Sequence, residues 1–319
     1  MRLVDSEPLR AVPPGFPPDS LIAPNVRQAG RLLPIALQRS YLWASAVLRA
    51  GFESQVVLPS KFTHFSAGFV WVREELRREL PNVSTLEGGF VFGGSVLIDE
   101  EGPQTLAVLR VGEQVMPVAV NRGKFRPHGC PPHPAGGSGA CWVEKNTLNP
   151  PFWQYGILTC RHVVTSAGVG ASIPLTPSGT HPIPTSAVFA EETSCTIDAA
   201  ILEVPVSDWP AGLTRLPIMA PATPGQAIEL VDHSGVAKTG RVLHVLHFSN
   251  YVGNLLGQRV VADVHGVPGD SGSLIIASPG GEGVGIYMGD IPDGSGFGYD
   301  GMYQDLSQAA AYFEFDPYI

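Results

Sequence analysis

The chain turns on the stretch Val267-Pro268-Gly269-Asp270-Ser271-Gly272-Ser273-Leu274-Ile275-Ile276, where a glycine-flanked Asp-Ser-Gly turn runs straight into an apolar strand. Gly269 lets the backbone take a conformation barred to residues with a Cβ. The amides of Gly269 and Ser271 can then converge beside the Ser271 hydroxyl. Two convergent donors next to a nucleophilic oxygen suit the negative charge that develops on a carbonyl under attack. Alone, the same residues also read as an ordinary turn, because Gly, Asp and Ser are common turn formers.

Two other stretches answer this one. A serine hydroxyl is a poor nucleophile until a base takes its proton, and the base must be oriented by a third group. Tyr155-Gly156-Ile157-Leu158-Thr159-Cys160-Arg161-His162-Val163-Val164 is a strand-like apolar run that reaches a histidine. Thr196-Ile197-Asp198-Ala199-Ala200-Ile201-Leu202-Glu203-Val204 is a second apolar run with a carboxylate near its start. Singly, the histidine reads as a hydrogen-bonded or surface residue and the aspartate as a turn former. In the order His, Asp, Ser they supply a base, its orienter and a nucleophile.

With these residues the chain resembles the chymotrypsin-like (trypsin-fold) serine peptidases of the non-secreted type. Leu158-Thr159-Cys160-Arg161-His162-Val163-Val164 is similar to that family's Leu-Thr-Ala-x-His-Val segment. Ile197-Asp198-Ala199-Ala200-Ile201-Leu202 is similar to its Asp-Leu/Ile-Ala-Val-Leu segment, and Gly269 to Ser273 to its Gly-Asp-Ser-Gly-Ser/Gly elbow. Gly137-Ser138-Gly139-Ala140-Cys141-Trp142-Val143 resembles the strand that precedes the histidine strand. The likeness spans residues 105–315. It implies a mostly β fold of two six-stranded antiparallel Greek-key barrels with a C-terminal helix, preceded here by an N-terminal α/β accessory region. It also implies a serine endopeptidase in which His162 is the general base, Asp198 its orienter, Ser271 the nucleophile, and the Gly269 and Ser271 amides the oxyanion hole.

Composition agrees with that architecture. The 319 residues suffice for one or two domains with a sizeable core. With 37 glycines and 30 prolines, turns are frequent and long helices few. Only 15% of residues are charged and 44% are hydrophobic, which fits β-barrels better than disorder. A net charge of −9 with no basic run argues against a nucleic-acid or anionic-membrane surface. The first twenty residues carry acids and prolines where a secretory signal needs a continuous apolar core. No stretch approaches the roughly 18 uninterrupted apolar residues of a membrane span. The expectation is a cytoplasmic protein with reduced thiols at Cys130, Cys141, Cys160 and Cys195, since the position after the histidine, a cysteine in secreted relatives, is Val163.

Three regions follow in chain order. Residues 1–100 form an accessory region: a proline-rich, poorly ordered arm over 1–25, a helix over 26–50, and a charged helical face over 70–80. Residues 101–215 are the first barrel, carrying His162 and Asp198 and opening on a hairpin of 106–111 with 114–120 over Gly112-Glu113. Within it His128, Cys130, His133 and Cys141 gather zinc-type ligands, but their spacing matches no common zinc pattern, and no metal or other cofactor is expected. Residues 216–319 are the second barrel, with strands at 226–232, 240–247, 259–264, 273–277 and 283–287 and a closing helix over 302–314.

The resemblance assigns the specificity pocket to His265, Gly266 and Val267, then Tyr287, Met288 and Gly289, with Asp290 or Asp293 at the rim. His265 takes the pocket-base position where an aspartate would select Arg or Lys. Relatives that cut after glutamate place a histidine where Tyr287 stands, so the preference for the residue before the cleaved bond stays open. The partner is a protein or peptide substrate. No Ile-Val-Gly-Gly-like segment precedes the first barrel, so Asp270 lacks the freed amine that animal digestive relatives supply. Residues 1–100 are therefore expected to regulate, as a partner-binding module or a removable inhibitory segment. Two other readings remain: a catalytically silent scaffold, and a self-processing protein whose tail 313–319 folds back into its own pocket.

Overall fold

The computed structural model describes residues 2–4, 62–78, 90–111, 114–124, 126–127, 137–145, 154–167, 172–174, 180–182, 197–219, 225–251, 254–255, 259–293 and 298–319. The chain is mostly strand. In order these are β1 (Arg2–Val4), β2 (Phe62–Trp71), β3 (Phe90–Ile98), β4 (Thr105–Val111), β5 (Gln114–Arg122), β6 (Arg126–Pro127), β7 (Gly139–Lys145) and β8 (Tyr155–Thr159). Then come β9 (Ser172–Pro174), β10 (Thr180–Pro182), β11 (Ala200–Glu203), β12 (Ala227–Val231), β13 (Ala237–Tyr251), β14 (Asn254–Leu255) and β15 (Arg259–Ala262). The last four are β16 (Leu274–Ala277), β17 (Gly283–Pro292), β18 (Tyr299–Asp305) and β19 (Phe315–Tyr318). Helices α1 (Glu74–Arg77), α2 (Arg161–Ala167) and α3 (Leu306–Phe313) are short.

Strands β13, β12, β16, β17, β18 and β15 follow one another, and β15 pairs back onto β13 to close a six-stranded barrel. Alternation sends Ile228 and Leu230 of β12 inward while Glu229 between them stays half-exposed. With Val242, Val260, Ala262, Ile275, Val284, Tyr287 and Tyr303 they fill the interior. A register shift between Val242 and His244 marks the bend at which β13 passes from β12 to β15. Of the six barrel strands, five fall where expected and only β18 was not anticipated. It takes the first residues of the segment expected as helix.

A second sheet of four strands, in the order β11, β8, β7, β19, carries the histidine and aspartate segments. Ile157, Leu158, Ile201 and Leu202 from this sheet share one core cluster with Leu274, Ile286, Leu306 and Phe313 from the barrel side. The two units are thus packed face to face, and the turns that connect them meet at the seam. Helix α3 seals one end of it. Asp305 caps the helix by accepting from the amides of Ser307 and Gln308, and Leu306, Ala309, Ala310 and Phe313 are its buried face. The helix ends at Glu314 in the left-handed region (φ +56°). β19 then pairs with β7, Phe315 opposite Lys145 through Tyr318 opposite Trp142. The tail that the self-processing reading would fold back into the pocket is a structural strand, with Phe315 2% exposed.

The hairpin of β4 and β5 forms with Val111 opposite Gln114, as expected. Its sheet neighbour is β3, which lies parallel to β5, and β2 joins β3 to β13 of the barrel. Strands from residues 62–98 are therefore built into the same sheet as the barrel. At the N-terminus the expected unordered arm begins with a strand, Arg2–Val4, on the outer edge of β4. The helix expected over 26–50 lies outside the described residues, as do His128, Cys130, His133 and Cys195. No helix among the described residues is long and apolar enough to cross a membrane.

One turn shows how charge is spent on local order. The Asp232 carboxylate accepts from the Ser234 amide (2.9 Å) and hydroxyl (2.7 Å) and the Val236 amide (2.9 Å), with Lys238 Nζ at 3.4 Å. Burial pushes its pKa up, but the Ser234 and Val236 hydrogen bonds and the Lys238 charge outweigh it and hold the group at about 2. A carboxylate with a depressed folded pKa stabilises above its unfolded value and loses that contribution as pH falls through the folded one. Asp232→Asn is expected to cost about 2 kcal/mol in urea unfolding at pH 7. The difference from the parent should shrink as the pH drops from 4 to 2 and vanish below that.

Candidate active site

The three stretches singled out in the sequence meet at the seam between sheet and barrel. β8 ends at Thr159, earlier than the strand-like run suggested, and His162 sits in the first turn of α2. Asp198 lies just before β11. Its Oδ2 is 2.7 Å from His162 Nδ1, and its Oδ1 accepts the His162 backbone amide at 3.2 Å. One carboxylate therefore fixes both the ring and the backbone of the histidine. Burial works to raise the Asp198 pKa, but the His162 ring, by charge and hydrogen bond, and the Arg259 guanidinium hold it below the ordinary range.

Ser271 is brought alongside by shared main-chain acceptors. The Tyr287 carbonyl accepts both the Cys160 thiol (3.1 Å) and the Gly272 amide (2.8 Å), so the residues flanking His162 and Ser271 hold one oxygen. The Ser138 carbonyl takes the Thr159 hydroxyl at 2.6 Å, and the Ser138 amide donates to the Ser271 carbonyl at 2.6 Å. The Ser138 hydroxyl donates to the Gly269 carbonyl at 2.8 Å. Gly269 has φ +106° and Gly272 +93°. Among the described residues, neither the Gly269 nor the Ser271 amide donates to a protein acceptor. The Ser271 hydroxyl donates to the Met288 carbonyl at 2.6 Å, and Ser271 is 0% exposed.

Cys160, His162 and Asp198 carry ligand-type atoms within 4.8 Å of one another. Here the imidazole and carboxylate pair, while burial, with Asp198 adding to it, pushes the Cys160 thiol well above its usual range. Behind Asp198 stands Arg259, 0% exposed at the start of β15. Directly opposite it on β18 is Gln304, and cross-strand partners project to one face. Gln304 Oε1 accepts the Asp198 amide at 3.4 Å. Burial lowers the Arg259 pKa to about 10, which leaves the guanidinium charged at neutral pH.

Asp270, left without a partner by the sequence, has three. It is 0% exposed, and its Oδ1 lies 2.7 Å from His233 Nδ1 and accepts the His233 amide at 3.0 Å. Its Oδ2 accepts from Lys238 Nζ (3.3 Å) and the Val267 amide (2.7 Å). The cation comes from the β12–β13 hairpin, at Lys238 of β13, so no freed terminus is needed to hold the elbow.

The expected pocket residues divide. Gly266, Tyr287 and Asp290 come together: the Tyr287 hydroxyl accepts the Gly266 amide at 2.8 Å and donates to Asp290 Oδ1. Burial, then Asp290, pushes the Tyr287 phenol far up, so it stays a donor. Met288 borders Ser271, and Gly289 follows on β17. His265 and Val267 are exposed, so the histidine expected at the pocket base stands on the surface instead.

A mostly antiparallel β chain with a closed six-stranded barrel and a C-terminal helix is of the chymotrypsin-like fold class expected from the sequence. No known family's sequence model matches the chain, and no curated protein matches it. The solved structures it is similar to are chymotrypsin-like serine proteases. One is a glutamic acid-specific serine protease described as using a histidine triad in substrate binding, 20% identical with a TM-score of 0.43 over 61% of this chain and 98% of that one. A Nocardiopsis protease is 16% identical with a TM-score of 0.40 over 56% and 90%. A Cellulomonas bogoriensis chymotrypsin is 16% identical with a TM-score of 0.37 over 57% and 97%.

Proposed function

We propose that this chain is a serine endopeptidase working by acyl transfer. The observation that carries the reading is the Asp198 carboxylate spanning His162 Nδ1 and the His162 amide, beside an elbow whose Gly269 and Ser271 amides are unspent. With Nδ1 donating to Asp198, His162 keeps Nε2 as the acceptor for a serine proton. Ser271 Oγ turns from the Met288 carbonyl toward Nε2, gives up its proton and attacks the peptide carbonyl. The developing oxyanion is met by the two amides. His162 passes the proton to the departing amine, leaving an acyl-enzyme, and a water activated by the same ring hydrolyses it. Gly266, Tyr287, Met288, Gly289 and Asp290, with His265 and Val267 outside them, form the walls for the residue before the cleaved bond.

A second reading, a catalytically silent scaffold, draws support from the buried Ser271 hydroxyl held by Met288. A fluorophosphonate probe separates the two. The peptidase reading expects covalent labelling that disappears in Ser271→Ala, with the labelled mass on the peptide containing Ser271. Folded protein that no probe labels rejects it.

A further inference from the structure

Ser271 lies against β17 at Met288, and β17 runs on from there through Gly289 and Asp290. Before Met288, one edge of β17 is held by β16 (Leu274 opposite Ile286, Ile275 opposite Gly285) and the other by β18. Past Met288, β18 continues on its own edge, with Gly289 opposite Met302 and Asp290 opposite Gly301. β16 has no partner there, so its edge beside the nucleophile is left for another strand. An extended peptide adds to such an edge by main-chain hydrogen bonds, with its side chains dropping into alternate pockets.

That edge is already taken. β6 pairs antiparallel with β17, Pro127 opposite Gly289 and Arg126 opposite Asp290. Because β18 occupies the other edge at the same two residues, β6 must lie on the vacated one. Its polarity is that of a substrate: the chain runs from Arg126 to Pro127 toward Met288 and Ser271. Arg126 is anchored by its guanidinium carbon 4.1 Å over the Tyr299 ring. Its backbone faces a strand end rich in carboxylates. Burial and the charges of Asp293, Asp263 and Asp290 push the Asp300 pKa well above the usual carboxylate range. A strand has two hydrogen-bonding edges, so β6 and a bound peptide exclude each other.

We propose that β6 is an intramolecular pseudo-substrate that closes the peptide-binding edge of β17, and that the freed edge takes extended peptides with a basic residue opposite Asp290. This rests on the peptidase reading and names its substrate class and its control. The basic residue falls two positions before the one opposite Met288. Activation is then displacement of Arg126-Pro127 from Gly289 and Asp290.

The test uses the full chain in two variants, Arg126→Glu and the double change Arg126→Gly with Pro127→Gly. Arg126 is exposed, so the single change leaves the core untouched and remains informative if the double variant unfolds. In a Ser271→Ala background, anisotropy measures binding of a fluorescein-labelled Lys-Phe-Arg-Pro-His peptide, the sequence of residues 124–128. Affinity should rise at least about tenfold in the variants, as expected when under one-tenth of the parent is open. In the Ser271 proteins, the rate of fluorophosphonate labelling should rise in parallel. Equal affinity and equal labelling in parent and variants would overturn the closed edge while leaving the peptidase intact. Absence of Ser271-dependent labelling in every protein would overturn the peptidase reading, and the proposal with it.

Discussion

Asp198→Asn is expected to lower turnover on the order of 10^4-fold at neutral pH while leaving the fold in place. The size of the effect follows from which atoms the carboxylate serves. Oδ1 accepts the backbone amide of His162 at 3.2 Å, and Oδ2 meets the ring at Nδ1, 2.7 Å away. The backbone amide can only donate, so the single oxygen of an asparagine is held there. Its NH2 group then faces Nδ1 and turns that nitrogen into an acceptor. The ring proton moves to Nε2, where the base must be free to take the serine proton. The mutant has the right residues in the right places and the wrong tautomer. A peptide assay on the β6-weakened protein should show the loss in kcat with KM little changed, and probe labelling slowed alongside. Activity within tenfold of the parent at pH 7 would mean that His162 is not oriented through Asp198, and the acyl-transfer reading would lose its base.

Much of this site was legible because its chemistry is carried by short, contiguous motifs. Gly269 to Ser273, His162 and Asp198 sit at the ends of apolar runs, and such ends are where strands deliver side chains to a seam. What stayed hidden depends on pairing between distant segments. Nothing in Asp232-His233-Ser234-Gly235 announces that His233 and Lys238 will meet Asp270, because the contacts form only when β12 and β13 bring their hairpin to the elbow. Arg259 is a lone cation heading an apolar strand, an oddity readable in the sequence, but its place behind Asp198 is set by its register opposite Gln304. Counting back from Ser271 reaches His265, which the loop leaves exposed, and the hydrogen bond from the Tyr287 hydroxyl to Asp290 depends on a fold in β17 that no motif announces. Arg126-Pro127 reads as loop, being two residues in a stretch heavy with proline and glycine. Only the strand it borders makes it a strand.

Gly272→Ala is expected to be the most damaging single methyl among the described glycines. A Cβ built there would lie 1.8 Å from the Ser138 carbonyl oxygen and 2.4 Å from Thr159 Oγ1. Neither neighbour can give way cheaply. The Ser138 oxygen is backbone, held by the Thr159 hydroxyl at 2.6 Å, and the Ser138 amide is tied to the Ser271 carbonyl. The backbone of Gly272 itself is at φ +93°, a conformation that costs an L-residue about 1–3 kcal/mol before any contact is counted. Strain and overlap together should exceed about 4 kcal/mol, within the small group of substitutions that unfold marginal proteins. Gly281→Ala is the control, since its φ is +78° with nothing within 4 Å of the added methyl. It bears the backbone cost alone, so its urea midpoint should fall by a fraction of the Gly272→Ala loss. The comparison reads directly on the site. The two residues that exclude the methyl, Ser138 just before β7 and Thr159 at the end of β8, are also those that hold the serine elbow, so Gly272→Ala protein that does fold should label slowly at Ser271. If the two alanine variants lose the same stability, the close packing of Ser138 and Thr159 on the elbow is not what holds the sheet and the barrel together.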